Sequence, residues 1–585
     1  MIKKLTDSDK KVWALFSSKD TKGRVYIRAY QNEWDEEKHR SRVKARLQAG
    51  RLLDDGSVKI SEVFRKKFSE LEDKTWYWGD NALLSEEEFR DAYETKDKSK
   101  DLSWSCETIR VGSTFAAWET AKATGILDDL ISVFGKENAR AILALAIYKF
   151  DGGGAMMTFE DWLPQVWLPK VTPLNGRRIS ELLAKITPEL TENYYKLRFD
   201  RARKDNPKGM TLSFDSTSIS TYSTTITDAA WGHAKQNPEL QQINFLMVCN
   251  HASGDVLYAF SFDGSINDKT ILAIAYLQMK SAGIDLGDNI LVTDRGFSSI
   301  YNTQRAINLD LKFIQFLPLT EGSVLNELSR KMSILSDPIA HMDPEMGVSA
   351  IKLSENWTAE TEVGSVPIKS FLFLYRNPIV SAEETQALHR DVLRICDLKN
   401  KEMSQERKTR IDEALWKRVR NYLEESKGAK EGEPTWKLKF DELKEGVLLL
   451  GCQAIRSNVD KDPFEILRIY RQRLIIEQGF NQLKNEVGGS RLEATESTYR
   501  GKLFIFSLAQ ALRMSMLVTA SKKKKLNPKA KLPDDSLRKT IVQLQALQAR
   551  KHRTTDAFIL GMVPKRYRDL LALIGIEKLP KTLYR

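Results

Sequence analysis

Three carboxylates and the residues around them are the first features of this sequence that could do chemistry. Asp215 lies in TLSFDSTSIS between Phe214 and Ser216, and Asp294 closes the apolar run LVTD ahead of Arg295 and Gly296. A carboxylate at the end of a buried strand is costly unless a metal or another cation compensates it. Oxygen-only ligands suit Mg²⁺ or Mn²⁺ and leave coordination positions for water and phosphate oxygens. Taken singly, each aspartate has a local explanation: Asp215 caps a turn, or Asp294 pairs with Arg295. The third carboxylate, Glu477, sits in DPFEILRIYRQRLIIEQGFNQLKNEV with Tyr470, Arg473 and Lys484. Those four residues stand at relative positions 0, 3, 7 and 14. On one continuous helix they share an arc of about 60°, beside an apolar stripe of Ile469, Ile476, Phe480 and Leu483 that can pack on a sheet. A solvated face with ordinary i,i+4 ion pairs is the plainer reading of such a helix. It leaves unexplained why a phenol, a guanidinium, a carboxylate and an ammonium line up beside a hydrophobic seam.

The elements that must position these groups follow from the hydrophobic period. TLSFDSTSIS, INFLMVCN and DVLYAFSFDGS read as three strands. The helix DKTILAIAYLQMKSAG follows, with Asn267 or Asp268 as its N-cap. Then come the strand NILVTDRGF, a helix around TQRAINLD and the strand KFIQFLPL. The order β-β-β-α-β-α-β is a meander followed by helical crossovers, and it resembles the core of the RNase H-like fold. With strands one and four as neighbours, Asp215 and Asp294 lie side by side. They are 79 residues apart, enough for the intervening strands and helix, whereas Glu477 follows Asp294 by 183. The excess predicts an excursion over 320–460, with strand-like pieces (IKSFLFLY, GVLLLGCQAI) around a charged helix near 400–427.

The pattern Tyr-x2-Arg-x3-Glu-x6-Lys, with two upstream aspartates, resembles the signature of bacterial insertion-sequence DDE transposases that carry a strand-rich insertion in an RNase H-like core. WGHAK, PELQQINFLMV and GSINDKTIL within 231–271, RGKLFIFSLAQALRM after the signature helix, and ILALAIYKF, FEDW and ISELLAKIT upstream resemble the same group. The resemblance covers most of the chain and is weakest over 1–105 and 320–440. It implies cleavage and strand transfer of double-stranded DNA, at transposon ends and target, by two Mg²⁺ or Mn²⁺ ions about 4 Å apart. Asp215 would bridge both ions, and Asp294 and Glu477 would each hold one. Arg473 and Lys484 would clamp phosphates, Tyr470 would bond a phosphate or stack on a base, and a homodimer would assemble on the DNA. Relatives use a tryptophan of the insertion to stack on a displaced base, which makes Trp357, Trp416 and Trp436 candidates. Packing in a core is the competing role for each.

The fold class implied is α/β: a mixed five-stranded RNase H-like core interrupted by a β-rich insertion, plus N-terminal strand-containing and helical DNA-binding units and a helical C-terminal region. The boundaries predicted are 1–105 for a small basic strand-containing unit and 106–205 for helices such as ENARAILALAIYKF. The core would occupy 206–319 and 461–520 around the insertion at 320–460, and a basic helical region 521–585. A net charge of +12 and a pI near 9.1 over 585 residues favour a polyanionic partner. Four scattered cysteines, with no CxxC pair, argue against a zinc ribbon or a disulfide scaffold. The start MIKKLTDSDKK lacks the apolar stretch of a secretion signal. The longest apolar run, 503–520, contains Gln510 and Arg513 and so reads as a buried helix, not a membrane span. These features point to a cytoplasmic, nucleoid-associated protein. His233 and the basic run 522–525 are further candidates for DNA contact, with a structural loop as the plainer role of each. Two rivals remain at this stage: a nuclease on the same core without strand transfer, and a domesticated, non-catalytic DNA-binding remnant.

Overall fold

The structure is a computed structural model. It describes residues 2–585 apart from 21–23, 37–39, 54–55, 72–73, 80, 94–103, 233–238, 338–340, 362–363, 406–410, 427–435, 489–490 and 553–554. His233 lies outside the described residues, as do the side chains of Ile476 and Phe480. The chain is mixed α/β and divides into two compact units: Met1–Glu119 with Phe159–Pro173 and Leu532–Arg585, and Thr120–Thr158 with Leu174–Lys531.

The first unit holds two sheets. Seven strands follow one another in chain order: β1 (Lys4–Thr6), β2 (Val12–Lys19), β3 (Val25–Asp35), β4 (Arg40–Leu52), β5 (Ser57–Ile60), β6 (Trp76–Gly79) and β7 (Ala82–Leu84). Strict alternation puts Trp13, Leu15, Ile27 and Ala29 on one face, where they pack with Phe64 and Phe68. The second sheet joins β8 (Trp104–Arg110) to β21 (Gln548–His552), β22 (Ala557–Ile559) and β23 (Thr582–Tyr584). Two sequence-based expectations are corrected here. The helical stretch expected from 106 starts at Gly112, after strand Trp104–Arg110, and the C-terminal region is part sheet instead of wholly helical. Gln548 pairs with Arg110, a partnership across most of the chain that no local periodicity encodes. The run 522–525, for which a loop is the plainer expectation, is helical, because helix Tyr499–Leu526 continues through it.

In the second unit the sheet is built on β9 (Thr211–Thr221), β10 (Gln241–Asn250), β11 (Val256–Asp263), β12 (Ile290–Thr293) and β13 (Lys312–Leu317). Their spatial order is β11-β10-β9-β12-β13, with β9 to β11 antiparallel and β12 parallel to both β9 and β13. The crossovers are helices Asp268–Ser281 and Ile300–Asn308; Asn267 caps the first by accepting from Thr270 N–H. The sheet does not stop at five strands. It continues through β19 (Cys452–Ser457), β16 (Gly364–Arg376), β15 (Val348–Thr361) and β14 (Met342–Asp343), and β20 (Arg491–Leu492) joins β9. Strands from within 320–460 therefore extend the sheet that carries the aspartates. A two-stranded pair, β17 (Leu423–Glu425) and β18 (Trp436–Leu438), lies among helices; the charged stretch near 400–427 is divided between helices Pro378–Gln405 and Glu413–Val419.

Helix Tyr499–Leu526 is the spine of this unit. By length and composition it is apolar enough to cross a membrane, yet 89% of that window is buried in the fold. Within it Arg513 bonds Glu486 and the carbonyl of Phe150, the latter at 2.7 Å, so a buried cation is paired. Helices Lys136–Phe150 and Gly176–Ala184 pack on it. So does helix Leu474–Asn485, which comes close because residue 479 is glycine. A methyl group there would stand 2.6 Å from Gln510 Nε2 and 3.0 Å from Met514 Sδ.

Candidate active site

Strand register brings the two aspartates together. β9 and β12 run parallel with Phe214 opposite Thr293, so Asp215, within β9, and Asp294, the residue that follows β12, stand side by side. Each carboxylate is first fixed by its own backbone: Asp215 Oδ1 accepts from Ser216 N–H at 2.8 Å, and Asp294 Oδ1 from Arg295 N–H at 2.7 Å. Neither contact is the local role expected of a single aspartate: Asp215 lies within a strand instead of capping a turn, and Asp294 meets the backbone N–H of Arg295, not its guanidinium.

The third carboxylate arrives from the helical segment after β19. The single helix expected here is two, Pro463–Arg471 and Leu474–Asn485, joined through Gln472 and Arg473. Both joint residues keep helical dihedrals (ψ −19° and −24°), but Arg473 N–H bonds back to Tyr470 O, three residues away instead of four. No glycine or proline lies between Tyr470 and Leu474, so local sequence does not break the helix. The joint falls where Arg473 turns into the site. Its Nη2 bonds Glu477 Oε1, lies 3.3 Å from Asp294 Oδ2 and reaches Asp215 Oδ2 at 4.0 Å. Only 3% of Arg473 is exposed, and its Nη1 has no hydrogen-bond partner. Burial works against its charge, but the carboxylates, Asp215 foremost, outweigh that and hold the guanidinium above its usual range.

Tyr470 completes the cluster. Its ring stacks on Phe316 of β13 (4.8 Å between centroids, 12° between planes), and its hydroxyl donates to Asp294 Oδ1 at 3.3 Å. Burial pushes that phenol well above its ordinary range. Lys484 stands seven residues beyond Glu477 on the same helix and is half-buried. Two of the candidate tryptophans, Trp416 and Trp436, meet edge to face at 5.8 Å in a cluster with Leu388, Val392 and Val419. Trp357, on β15, lies under the Arg456 guanidinium.

The geometry has a chemical direction. Side-chain exposure rises from Asp215 (17%) through Asp294 (34%) to Glu477 (43%), so the cluster is closed at the sheet and open towards the helix. As placed, the carboxylates hold the guanidinium, and no three acidic, histidine or cysteine side chains among the described residues form a ready cation cage. The donor set nonetheless fits a hard divalent cation: oxygen ligands only, three negative charges against one positive, and a focus already occupied by a cationic group.

Sequence reasoning missed His251. It follows β10, donates its backbone N–H to Thr211 O, and bonds Ser213 Oγ through Nε2, while Nδ1 has no partner. A lone histidine after INFLMVCN gives no signal of its own. Burial, then the nearby positive charge of Arg473, lowers its pKa to about 4, so it is held neutral. A base depressed in the folded state stabilises the fold above its unfolded pKa of about 6.5, and that contribution drains away as pH falls through the folded value. The shift corresponds to about 3 kcal/mol. Denaturant unfolding from pH 7 to 4 should lose less stability in His251→Gln than in the parent; identical pH slopes would remove the histidine from the account.

No model of a known family and no curated protein matches the chain. Among solved structures it is similar to the piggyBac transposase of a synaptic complex with hairpin DNA, determined by cryo-EM. That match has 10% identity and a TM-score of 0.34, over 80% of this chain and 86% of that one.

Proposed function

We propose that this protein is a DNA strand-transfer enzyme, a DDE transposase with an RNase H-like core, whose carboxylates are Asp215, Asp294 and Glu477. The observation that carries the reading is the convergence of these three on one point. Two come from neighbouring parallel strands and one from the helical segment that returns after the 320–460 excursion. The strand order, a meander with two parallel strands added beside its first strand, supports the core assignment.

Mg²⁺ or Mn²⁺ bound by these oxygens would supply Lewis acidity at a phosphodiester and a more acidic attacking hydroxyl or water. The remaining work belongs to the chain. Asp215, the least exposed, is oriented by Ser216 N–H, and Asp294 by Arg295 N–H and the Tyr470 hydroxyl. Stacking on Phe316 keeps that hydroxyl in place. Arg473 holds the carboxylates together; a divalent cation held by the same oxygens would compete with it and would release the guanidinium towards a DNA phosphate. Lys484, on the same helix, contacts the phosphate backbone beside the open side of the cluster. A net charge of +12 suits duplex DNA at both transposon end and target, and two copies would assemble on it.

The test is a joining assay. Purified protein is given Mg²⁺, a target plasmid and duplexes cut from the DNA that flanks its own gene. Covalent joining of a flanking end to the plasmid is the result expected. Cutting without joining supports a nuclease on the same core, and neither product in Mg²⁺ or Mn²⁺ sinks the enzymatic reading.

A further inference from the structure

The outward face of the seven-stranded sheet in the first unit is not used by any of this chemistry. Directly opposed residues of antiparallel strands share a face, so the pairings define its rows. In one row Lys4, Ala14, Tyr30 and Arg46 stand side by side across β1 to β4. The next holds Phe16, Arg28 and Gln48. A third runs Ser18, Tyr26, Arg51 and Lys59 across β2 to β5. Those rows contain five cations, three aromatic rings and no carboxylate. Lys4, Arg46, Arg51 and Lys59 are exposed, and the rings of Phe16, Tyr26 and Tyr30 are half-buried. The core of this sheet lies on its other side, with Leu15, Ile27 and Ala29. Elsewhere in the unit Arg42 and Lys44 share Glu33, yet none of the five cations has a carboxylate partner among the described residues.

We infer that this face binds single-stranded DNA, with the phosphates on Arg28, Arg46 and Arg51 and unpaired bases on Tyr26, Tyr30 and Phe16. A concentration of positive charge whose cations have no carboxylate partner among the described residues selects a polyanion. The choice of a single strand follows from shape and from the rings. Four strands about 4.8 Å apart make a platform about 14 Å wide before side chains are added, which does not enter a major groove about 12 Å wide. Rings among the cations have nothing to stack on in a duplex, whose bases are already stacked, whereas an unpaired strand offers every base. The face is remote in kind from the carboxylate cluster, and its ligand does not depend on that cluster being catalytic.

The experiment is fluorescence anisotropy with the full-length protein and labelled oligothymidylate, from about 50 to 200 mM salt. Arg46→Ala with Arg51→Ala should flatten the slope of log K against log salt by about 1.4, at about 0.7 per phosphate on a single strand. Tyr26→Ala and Tyr30→Ala should each weaken binding at least about fivefold on oligothymidylate, and should change nothing on an abasic strand of equal length. Thermal unfolding of each variant identifies any loss that comes from misfolding, and Tyr26→Phe, which keeps the ring, should bind like the parent. An unchanged slope in the double arginine variant overturns the proposal. Equal losses on abasic and normal strands also overturn it, as does tighter binding of a duplex with the same dependence on the rings. Loss of strand joining with these oligonucleotide results intact would strike the catalytic reading alone.

Discussion

Asp215→Asn, Asp294→Asn and Glu477→Gln should each reduce cleavage of end-containing DNA in Mg²⁺ by more than about 100-fold, the upper end of what outer-shell changes around a metal cost. Each substitution keeps the shape of the side chain and removes the charge that would hold a cation. DNA binding should survive, because the basic surface is untouched. Stability separates this from a merely structural cluster. If the three carboxylates exist to satisfy Arg473, each amide variant weakens an ion pair of a 3%-exposed guanidinium and the melting temperature falls. If they exist to hold divalent cations, the metal-free protein carries surplus negative charge, and neutralising one group leaves the melting temperature level or raises it. Near-parental cleavage by any of the three removes that residue from the catalytic set.

The second large effect is expected at Arg473, and it concerns the protein before any metal binds. Arg473→Gln leaves three carboxylates facing one another. Removing one partner of a buried ion pair costs about 3–5 kcal/mol, and the partial exposure of Asp294 and Glu477 screens some of that, which leaves a loss of about 2 kcal/mol. Divalent cations should then do what the guanidinium did. Ligand bound only by the folded state stabilises by about 2.7 kcal/mol at one hundred times its dissociation constant. The rise in melting temperature with Mn²⁺ should therefore be larger in Arg473→Gln than in the parent, whose guanidinium must first be displaced. Calorimetric titration with Mn²⁺ in the absence of DNA reads the same competition directly, as tighter binding in the variant. Equal Mn²⁺ shifts in both proteins would mean that arginine and cation do not compete for one focus, and the reading of Arg473 as a resident counter-cation would fail.

Much of the second unit can be read from the amino-acid sequence, for a local reason. The β-branched and aromatic alternation of TLSFDSTSIS, INFLMVCN and DVLYAFSFDGS marks β9, β10 and β11. Asn267 announces its helix by the cap it makes, and the buried nature of 503–520 follows from one glutamine and one arginine in an apolar run. The neighbourhood of Asp215 and Asp294 needs one step more, the assumption that the crossover returns β12 beside the first strand of the meander. These are properties of segments a dozen or so residues long, which hydrophobic period and capping chemistry encode directly.

The tertiary structure decided what those segments meet. Arg473 and Lys484 look alike on a helical wheel, yet one is buried against three carboxylates and the other is half-buried further along its helix. The difference arises because only Arg473 sits at the joint where the hydrogen-bond ladder tightens towards the sheet. β13 gains β19 as a neighbour through Phe316 and Ile455, and β8 gains β21 through Ile109 and Ala549. Both partnerships join strands far apart in the chain, and the pattern within a short strand does not say which distant edge will satisfy its hydrogen bonds. His251 is the clearest case. In the sequence it is one polar residue in a turn. In the fold, burial and a guanidinium contributed from more than two hundred residues away hold it neutral. Period and capping are written locally, whereas charge partners, burial and strand edges are long-range quantities that exist only once the chain has closed on itself.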